Sequence, residues 1–334
     1  MKLSGTVTDF LLDIPEDRPV RLLQITDIQI IDATQRRTQD RLTDREIAAW
    51  QPENADALAY SSVRALVERT RPDLIFITGD IVYGEFDDSG RTLKEIVAFL
   101  DSLGVPYAPV YGNHDNESEK GVLWQNAQFE NGKNCFFKAG TVGAGGNYAV
   151  GIRAGGKLIR TLYMLDSQGC GKRAVPARFE DTQLAWVRET AKRIDEIAPD
   201  IPAFAAFHIP TVEFSDALIA AGYQQAQDTR ENRAFYTIGK DVPARPGEFG
   251  RKGEGLYHFT AANGFLDTMK AAHVDGVFAG HCHNINTSVV YGSIRYTFGL
   301  KTGQYDYHED DSLGGTLVTV AKDGFTVAHQ YLSD

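Results

Sequence analysis

The sequence is poor in the features that mark secreted, membrane-spanning or nucleic-acid-binding proteins. It has three cysteines in 334 residues, Cys135, Cys170 and Cys282. They are odd in number and widely spaced, so neither a disulfide framework nor a Cys-x-x-Cys zinc site can be built from them. No stretch approaches the roughly 18 uninterrupted apolar residues that a membrane helix needs. Met1 to Val20 contains four acidic residues and no long apolar run, unlike a signal peptide, so a cytoplasmic location is expected. Positive charge is scarce: 34 Lys and Arg against 45 Asp and Glu give a net charge of −11. A field of that sign repels duplex DNA and anionic membranes, so neither is an expected partner. There is no Gly-x-x-x-x-Gly-Lys-Ser/Thr phosphate loop and no Gly-x-Ser-x-Gly nucleophile elbow. Gly143-Ala144-Gly145-Gly146 lacks the strand-turn-helix setting of a dinucleotide site.

The composition is that of a folded globular chain, 43% hydrophobic and 10% aromatic. Apolar runs alternate with amphipathic stretches. Strands are expected over 21–26, 74–78 and 107–111, with helices over 55–69 and 92–103 between them. That series points to a parallel sheet flanked by helices. Leu58, Ala65 and Leu66 are expected on the buried face of the first helix. The segments 147–153 and 157–165 flank Ala154-Gly155-Gly156, a hairpin signal. A helix over 182–197 and a strand over 203–207 follow, then a helix over 261–272 and a strand over 274–279. The remainder (287–291, 293–297, 316–321 and 325–332) alternates like antiparallel β-structure. Residues 228–257, with five Gly and two Pro, read as a loop long enough to serve as a lid or substrate loop. No linker or repeat divides the chain, and one domain over 1–334 is expected.

The chemistry-bearing residues come just after the strands, where open α/β sheets bind ligands. The first strand ends in Asp27-Ile28-Gln29 and the second in Gly79-Asp80. The third ends in Gly112-Asn113-His114-Asp115. The strand at 203–207 ends in His208, and that at 274–279 in Gly280-His281-Cys282-His283. Asp and His are ligands for borderline and hard metal ions. Two Asp, one Asn and four His exceed what one ion needs and suit two ions about 3.5–4 Å apart, which clamp a phosphoryl group and acidify water.

This order resembles the calcineurin-like metallophosphoesterase superfamily: Asp-x-His, Gly-Asp, Gly-Asn-His-Asp/Glu, His, Gly-His-x-His. The resemblance covers roughly Leu22 to Gly303. It implies an α/β (α+β) fold, a four-layer α/β/β/α sandwich of two mixed sheets with a dinuclear metal site at the strand ends. It implies one metal held by Asp27, Asp80 and His283 and another by Asp80, Asn113, His208 and His281, with Asp80 bridging. His114 would contact phosphate and assist the leaving group. The pattern departs at Gln29, where the superfamily has His. Tyr83, three residues after Asp80, is similar to the tyrosine of purple acid phosphatases, whose phenolate binds ferric iron. Tyr83 is thus a further candidate ligand, with Gln29 and Asp115 as ligands or members of the surrounding layer. The implied cofactors are two metal ions, iron with Zn, Mn or Fe, or two divalent ions such as Mn or Zn.

Arg36, Arg37, Arg41 and Arg45 follow the first motif, and arginine grips phosphate bidentately. Asp40 and Asp44 make a solvated helix face the alternative reading. Lys301, in Phe298-Gly299-Leu300-Lys301-Thr302-Gly303, is a candidate substrate contact against a role in packing. Cys282, in an extended segment, would point away from its flanking histidines. The expected activity is hydrolysis of small phosphate monoesters by in-line attack of a metal-bound hydroxide. A diesterase acting on cyclic nucleotides or other diesters, and a non-catalytic metal-binding scaffold, are the alternatives.

Overall fold

The computed structural model describes residues 7–32, 34–35, 55–143, 145–170, 175–223, 245–257, 259 and 263–334. In chain order the strands are β1 (Phe10–Ile14), β2 (Val20–Ile25), β3 (Leu74–Thr78), β4 (Tyr107–Val110), β5 (Tyr148–Ala154), β6 (Lys157–Met164), β7 (Gln168–Cys170), β8 (Val175–Ala177), β9 (Ala203–Ala206), β10 (Val274–Ala279), β11 (Ser288–Tyr291), β12 (Ile294–Phe298), β13 (Gly314–Ala321) and β14 (Gly324–Tyr331). The helices are α1 (Ala55–Thr70), α2 (Arg91–Ser102), α3 (Gly121–Glu130), α4 (Asp181–Asp195), α5 (Val212–Ala220) and α6 (Phe265–Ala271).

Short apolar runs become central strands because both faces are covered. β3, Leu-Ile-Phe-Ile-Thr, is buried at every position, as is β9. One sheet has the order β14-β13-β2-β3-β4, with β2, β3 and β4 parallel and β13 antiparallel to both its neighbours. The other runs β1-β5-β6-β9-β10-β12-β11, with β6, β9, β10 and β12 parallel. β7 and β8 pair separately.

The two large sheets meet face to face. Phe76 of β3 stands edge-on to Phe278 of β10 at 5.4 Å, and Phe278 meets Phe204 of β9 at 5.2 Å. Helix α1 covers β2 and β13 on one outer side, while α6 lies on β10 and against α4 on the other. The four-layer expectation holds, and both sheets are mixed. β2, β3, β4, β6, β9, β10 and β12 point their carboxyl ends at one edge, and that edge carries the candidate residues, whereas β1 and β5 run the opposite way.

Several expectations need correction. The buried face of α1 is Ala59, Ser62, Val63, Leu66 and Thr70, whereas Leu58 and Ala65 are exposed. The helical stripe is rotated because it faces the strands through small residues. Strands β1, β7 and β8 and helices α3 and α5 were not anticipated. The last four strands do not form an antiparallel unit of their own: β12 lies parallel beside β10, and β13 crosses to β2. Of the expected loop 228–257, residues 228–244 lie outside the described residues. The rest runs beside β11, where Phe249 bridges to Ser288 and Lys252 to Ile285. No helix among the described residues is long and apolar enough to cross a membrane.

Removing the inter-sheet ring with Phe278→Ala is expected to cost about 3–5 kcal/mol, measured by urea unfolding, and a loss below about 1 kcal/mol would contradict the packing described. A second prediction concerns acid. The half-buried ring of His329 on β14 donates from Nε2 to the Asn286 carbonyl (2.7 Å) and pairs Nδ1 with Thr316 Oγ1 (2.9 Å). Burial pushes its pKa down from 6.5 to about 4, the Asn286 carbonyl offsetting part of the shift. Between those values the unfolded chain takes up a proton that the folded ring refuses, so stability is lost as pH falls through that interval. Partial exposure trims the linked energy to about 2 kcal/mol. His329→Gln should shrink the stability difference between pH 6.5 and pH 4 by that amount. An unchanged difference would rule the linkage out.

Candidate metal centre

Strand β2 delivers Asp27, and β3 delivers Asp80, both 1% exposed. Both adopt left-handed backbone conformations, φ 50° and 49°, rare for residues with a side chain and concentrated at functional sites. Two glycines make room for their carboxylates. A Cβ on Gly112 would lie 2.1 Å from Asp80 Oδ1, and one on Gly280 would lie 2.7 Å from Asp27 Oδ2 and 2.1 Å from Thr26 Oγ1. The turns after β4 and β10 can therefore close onto the carboxylates only as glycine.

The donors gather in two groups. In one, Asp27 Oδ1 lies 3.1 Å from His283 Nε2. In the other, the ligand atoms of Asp80, His208 and His281 all lie within 4.8 Å of one another. Asp80 Oδ2 is 3.2 Å from His208 Nε2, which is also 3.2 Å from Asn113 Oδ1. Backbone carbonyls fix the tautomers. His208 Nδ1 donates to the Thr78 carbonyl and His283 Nδ1 to that of Tyr307, each at 2.8 Å, which turns each Nε2 towards the carboxylates. Tyr307 also stacks on the His283 ring at 4.3 Å. This donor set, oxygen and imidazole nitrogen converging from separate strand ends, fits a dinuclear centre.

The electrostatics of the site follow from this crowding. Burial favours the neutral acid at Asp27, yet His208, His283 and Lys301 hold its carboxyl far below the usual range. Burial opposes charge on His208, but Asp80 and Asp27 raise it to about 9, while burial and His208 hold His281 down to about 3. His281 thus presents a lone pair, and His208 would release a proton on taking up an ion.

His114 stands beside the donors. Its backbone N–H donates to Asp80 Oδ1 (2.9 Å), its Nε2 lies 4.0 Å from Asp80 Oδ2, and its Nδ1 is held by Glu117 at 2.8 Å. Burial disfavours charge on this ring, but Asp80 and Glu117 raise it to about 9. Tyr83 lies flat on the same ring, 4.1 Å between centroids, in an aromatic group with Phe86 and Tyr305. A cleft of about 270 Å³ opens over the centre, lined by Asp80, His114, Tyr257, His281, His283, Asp306 and Tyr307.

The structure thus brings together Asp27, Asp80, Asn113, His114, His208, His281 and His283. Other candidates stand further back. Asp115 accepts hydrogen bonds from the backbone N–H groups of Ile81, Val82 and Gly112, so it shapes the loops behind Asp80 and does not join the donor cluster. Lys301 is 1% exposed, and its Nζ donates to the Asp27 carbonyl (3.0 Å) and to Gln29 Oε1. Buried behind the carboxylates, it braces the first motif and does not line the cleft. Gln29 is fully buried between Lys301 and Asp306. Arg36, Arg37, Arg41 and Arg45 lie outside the described residues. The segment Gly280–His283 is a turn, His281 having φ 73°, not an extended strand. Cys282 nonetheless faces away, its thiol 3.9 Å from the Tyr257 carbonyl.

Sequence reasoning missed Glu117, Tyr257, Asp306 and Tyr307. Glu117 was legible as an acid three residues after His114, one 3₁₀ turn on. Asp306 and Tyr307 sit in a run of polar and aromatic residues, 304–308, with Asp306 eight residues past the end of β12, too far from a strand end to carry the signal that marked the other candidates.

A family model described as calcineurin-like phosphoesterase matches residues 20–284. "Probable inactive purple acid phosphatase 28" of Arabidopsis thaliana is 30% identical over 177 residues, 45% of this chain and 44% of that protein. "Probable inactive purple acid phosphatase 29" of the same plant is 23% identical over 290 residues, 79% of this chain and 66% of that one. The aligned stretch is thus less than two thirds of either relative. Among solved structures, a dimetal phosphatase from Danio rerio superposes with a TM-score of 0.54 at 13% identity, covering 94% of this chain and 97% of its own, a likeness of fold. The family match spans most of the sequence and contains every strand end that carries a ligand candidate, and the chain belongs to the calcineurin-like phosphoesterase family.

Proposed function

We propose that this protein is a metal-dependent phosphoesterase that hydrolyses small phosphate monoesters. The observation that carries the reading is the convergence of Asp80, His208 and His281 within 4.8 Å beside the Asp27–His283 pair, with His114 at the cleft wall. Asp27, Asp80 and His283 would hold one ion, and Asp80, Asn113, His208 and His281 the other. Manganese, zinc and iron suit such oxygen and imidazole donors. Bound there, the ions supply a water of lowered pKa and neutralise phosphate charge.

The chain's own residues do the rest. Asn113 keeps Oδ1 towards His208, which leaves its amide N–H groups to donate to a non-bridging phosphate oxygen. His114, its Nδ1 steadied by Glu117, donates its Nε2 proton to the departing alkoxide. One acid serves the single leaving oxygen of a monoester or a diester alike, so the two substrate classes are separated by the ratio of their turnover. The designation of the plant relatives as inactive favours a second reading, ion binding without hydrolysis, and supports it only if turnover is absent from the loaded protein.

The test is a steady-state comparison of an aryl phosphate monoester with the matching diester on manganese-loaded and iron-loaded protein, with Asp80→Asn as the blank. Turnover that favours the monoester and disappears in the blank is expected. A diester preference would replace the substrate class, and full loading without turnover would replace catalysis by binding. His114→Ala is expected to lower kcat on alkyl phosphates about 10²–10⁴-fold while the bound metal is unchanged. Glu117→Gln removes a group that raises the pKa of His114, so the alkaline fall in kcat should begin at lower pH. An unshifted limb would exclude His114 as the acid.

A further inference from the structure

Gln29 stands where the family pattern has a metal-binding histidine, and its surroundings define which way its amide faces. Lysine only donates hydrogen bonds, so the atom against Lys301 Nζ is Oε1. The amide nitrogen must then point the other way, and there it donates to Asp306 Oδ2 at 3.3 Å. The one atom through which Gln29 could bind a metal thus faces a buried ammonium. Asp306, in contrast, lines the cleft together with Asp80, His281 and His283. Its other carboxylate oxygen accepts from the Tyr307 N–H (2.8 Å), and its backbone is left-handed, φ 65°. A carboxylate in a cleft that receives phosphate repels the substrate unless a cation lies between them. The first ion has only Asp27, His283 and a shared Asp80 as protein donors, one short of a four-coordinate site.

We propose that Asp306 supplies the ligand that Gln29 does not, completing the first metal position, and that Lys301 and Gln29 act as a relay that positions its carboxylate. This rests on the metal-centred reading above. Asp306 lies beyond the segment matched by the family model, residues 20–284. The centre would thus be closed by a residue from a different part of the chain. Tyr83, stacked on His114, would not be needed as a ligand.

The test counts manganese by elemental analysis after equilibrium dialysis of the whole chain. Wild type is expected to hold two ions per chain. Asp306→Asn should hold one, or bind the second at least tenfold more weakly. Gln29→His added to Asp306→Asn should restore the second ion, and Tyr83→Phe should keep both. In a separate measurement, Asp306→Cys loaded with cadmium should gain a thiolate-to-metal charge-transfer band that wild type lacks. Two ions at wild-type affinity in Asp306→Asn would overturn the proposal. If that variant does not fold by circular dichroism, absence of the cadmium band overturns it instead. An iron-loaded wild type with a visible phenolate band that Tyr83→Phe abolishes together with one ion would also overturn it, by assigning the position to Tyr83. Wild type that binds no metal at all would remove the metal-centred reading itself, and this proposal with it.

Discussion

Two carboxylates buried where two sheets end are the constraint around which the rest is arranged. Asp27 and Asp80 are each 1% exposed, and a buried carboxylate without partners is untenable. The partners arrive from elsewhere in the chain: His208 after β9, His281 and His283 after β10, backbone N–H groups of His114 and His281, and Lys301 from beyond β12. They come from four strand ends, those of β4, β9, β10 and β12, so the charges are compensated only once the sheets have been laid in register. Fold and site are in this sense one solution to one electrostatic problem.

The same constraint explains the backbone. Asp27, Gln29, Asp80, His281 and Asp306 all have positive φ. Clustered around one cleft, they show the chain turning sharply at each strand end so that side chains point over the edge and not along it. The glycines beside them serve the same end by allowing two loops to touch a carboxylate that any Cβ would displace.

Much of this was legible in the sequence because parallel strands covered on both faces are written as uninterrupted apolar runs. β3 and β10 are found to the residue, Leu74–Thr78 and Val274–Ala279. The residues that gather at the candidate centre were legible for the same reason, since polar residues directly after such runs have few structural uses. Where the signal failed, a physical cause can be named. α3 buries Gln125 and Asn126 beside Phe129, so hydrophobic periodicity misses it. β1 alternates Phe10, Leu12 and Ile14 and was hidden by the acidic residues between and after them. The face of α1 was misjudged because Leu58 and Ala65 were taken as buried in preference to Ala59 and Ser62, while Leu66 is buried as expected. The pairing of Lys301 with Gln29 was not legible because sequence shows neither the depth of a side chain nor the neighbour that neutralises it.

The strand order has a consequence for how the molecule is made. β2, which carries Asp27, lies between β3 and β13, and β13 is paired in turn with β14. Synthesis proceeds from the amino end, so the strand bearing the first carboxylate must wait with one open edge until residues 314–331 emerge. Nearly three hundred residues separate the two halves of that ladder, a long loop to close and a slow contact to form. Chains in which β13 has not yet been made would carry Asp27 on a strand paired on one edge only, so assembly of the centre waits on the synthesis of β13.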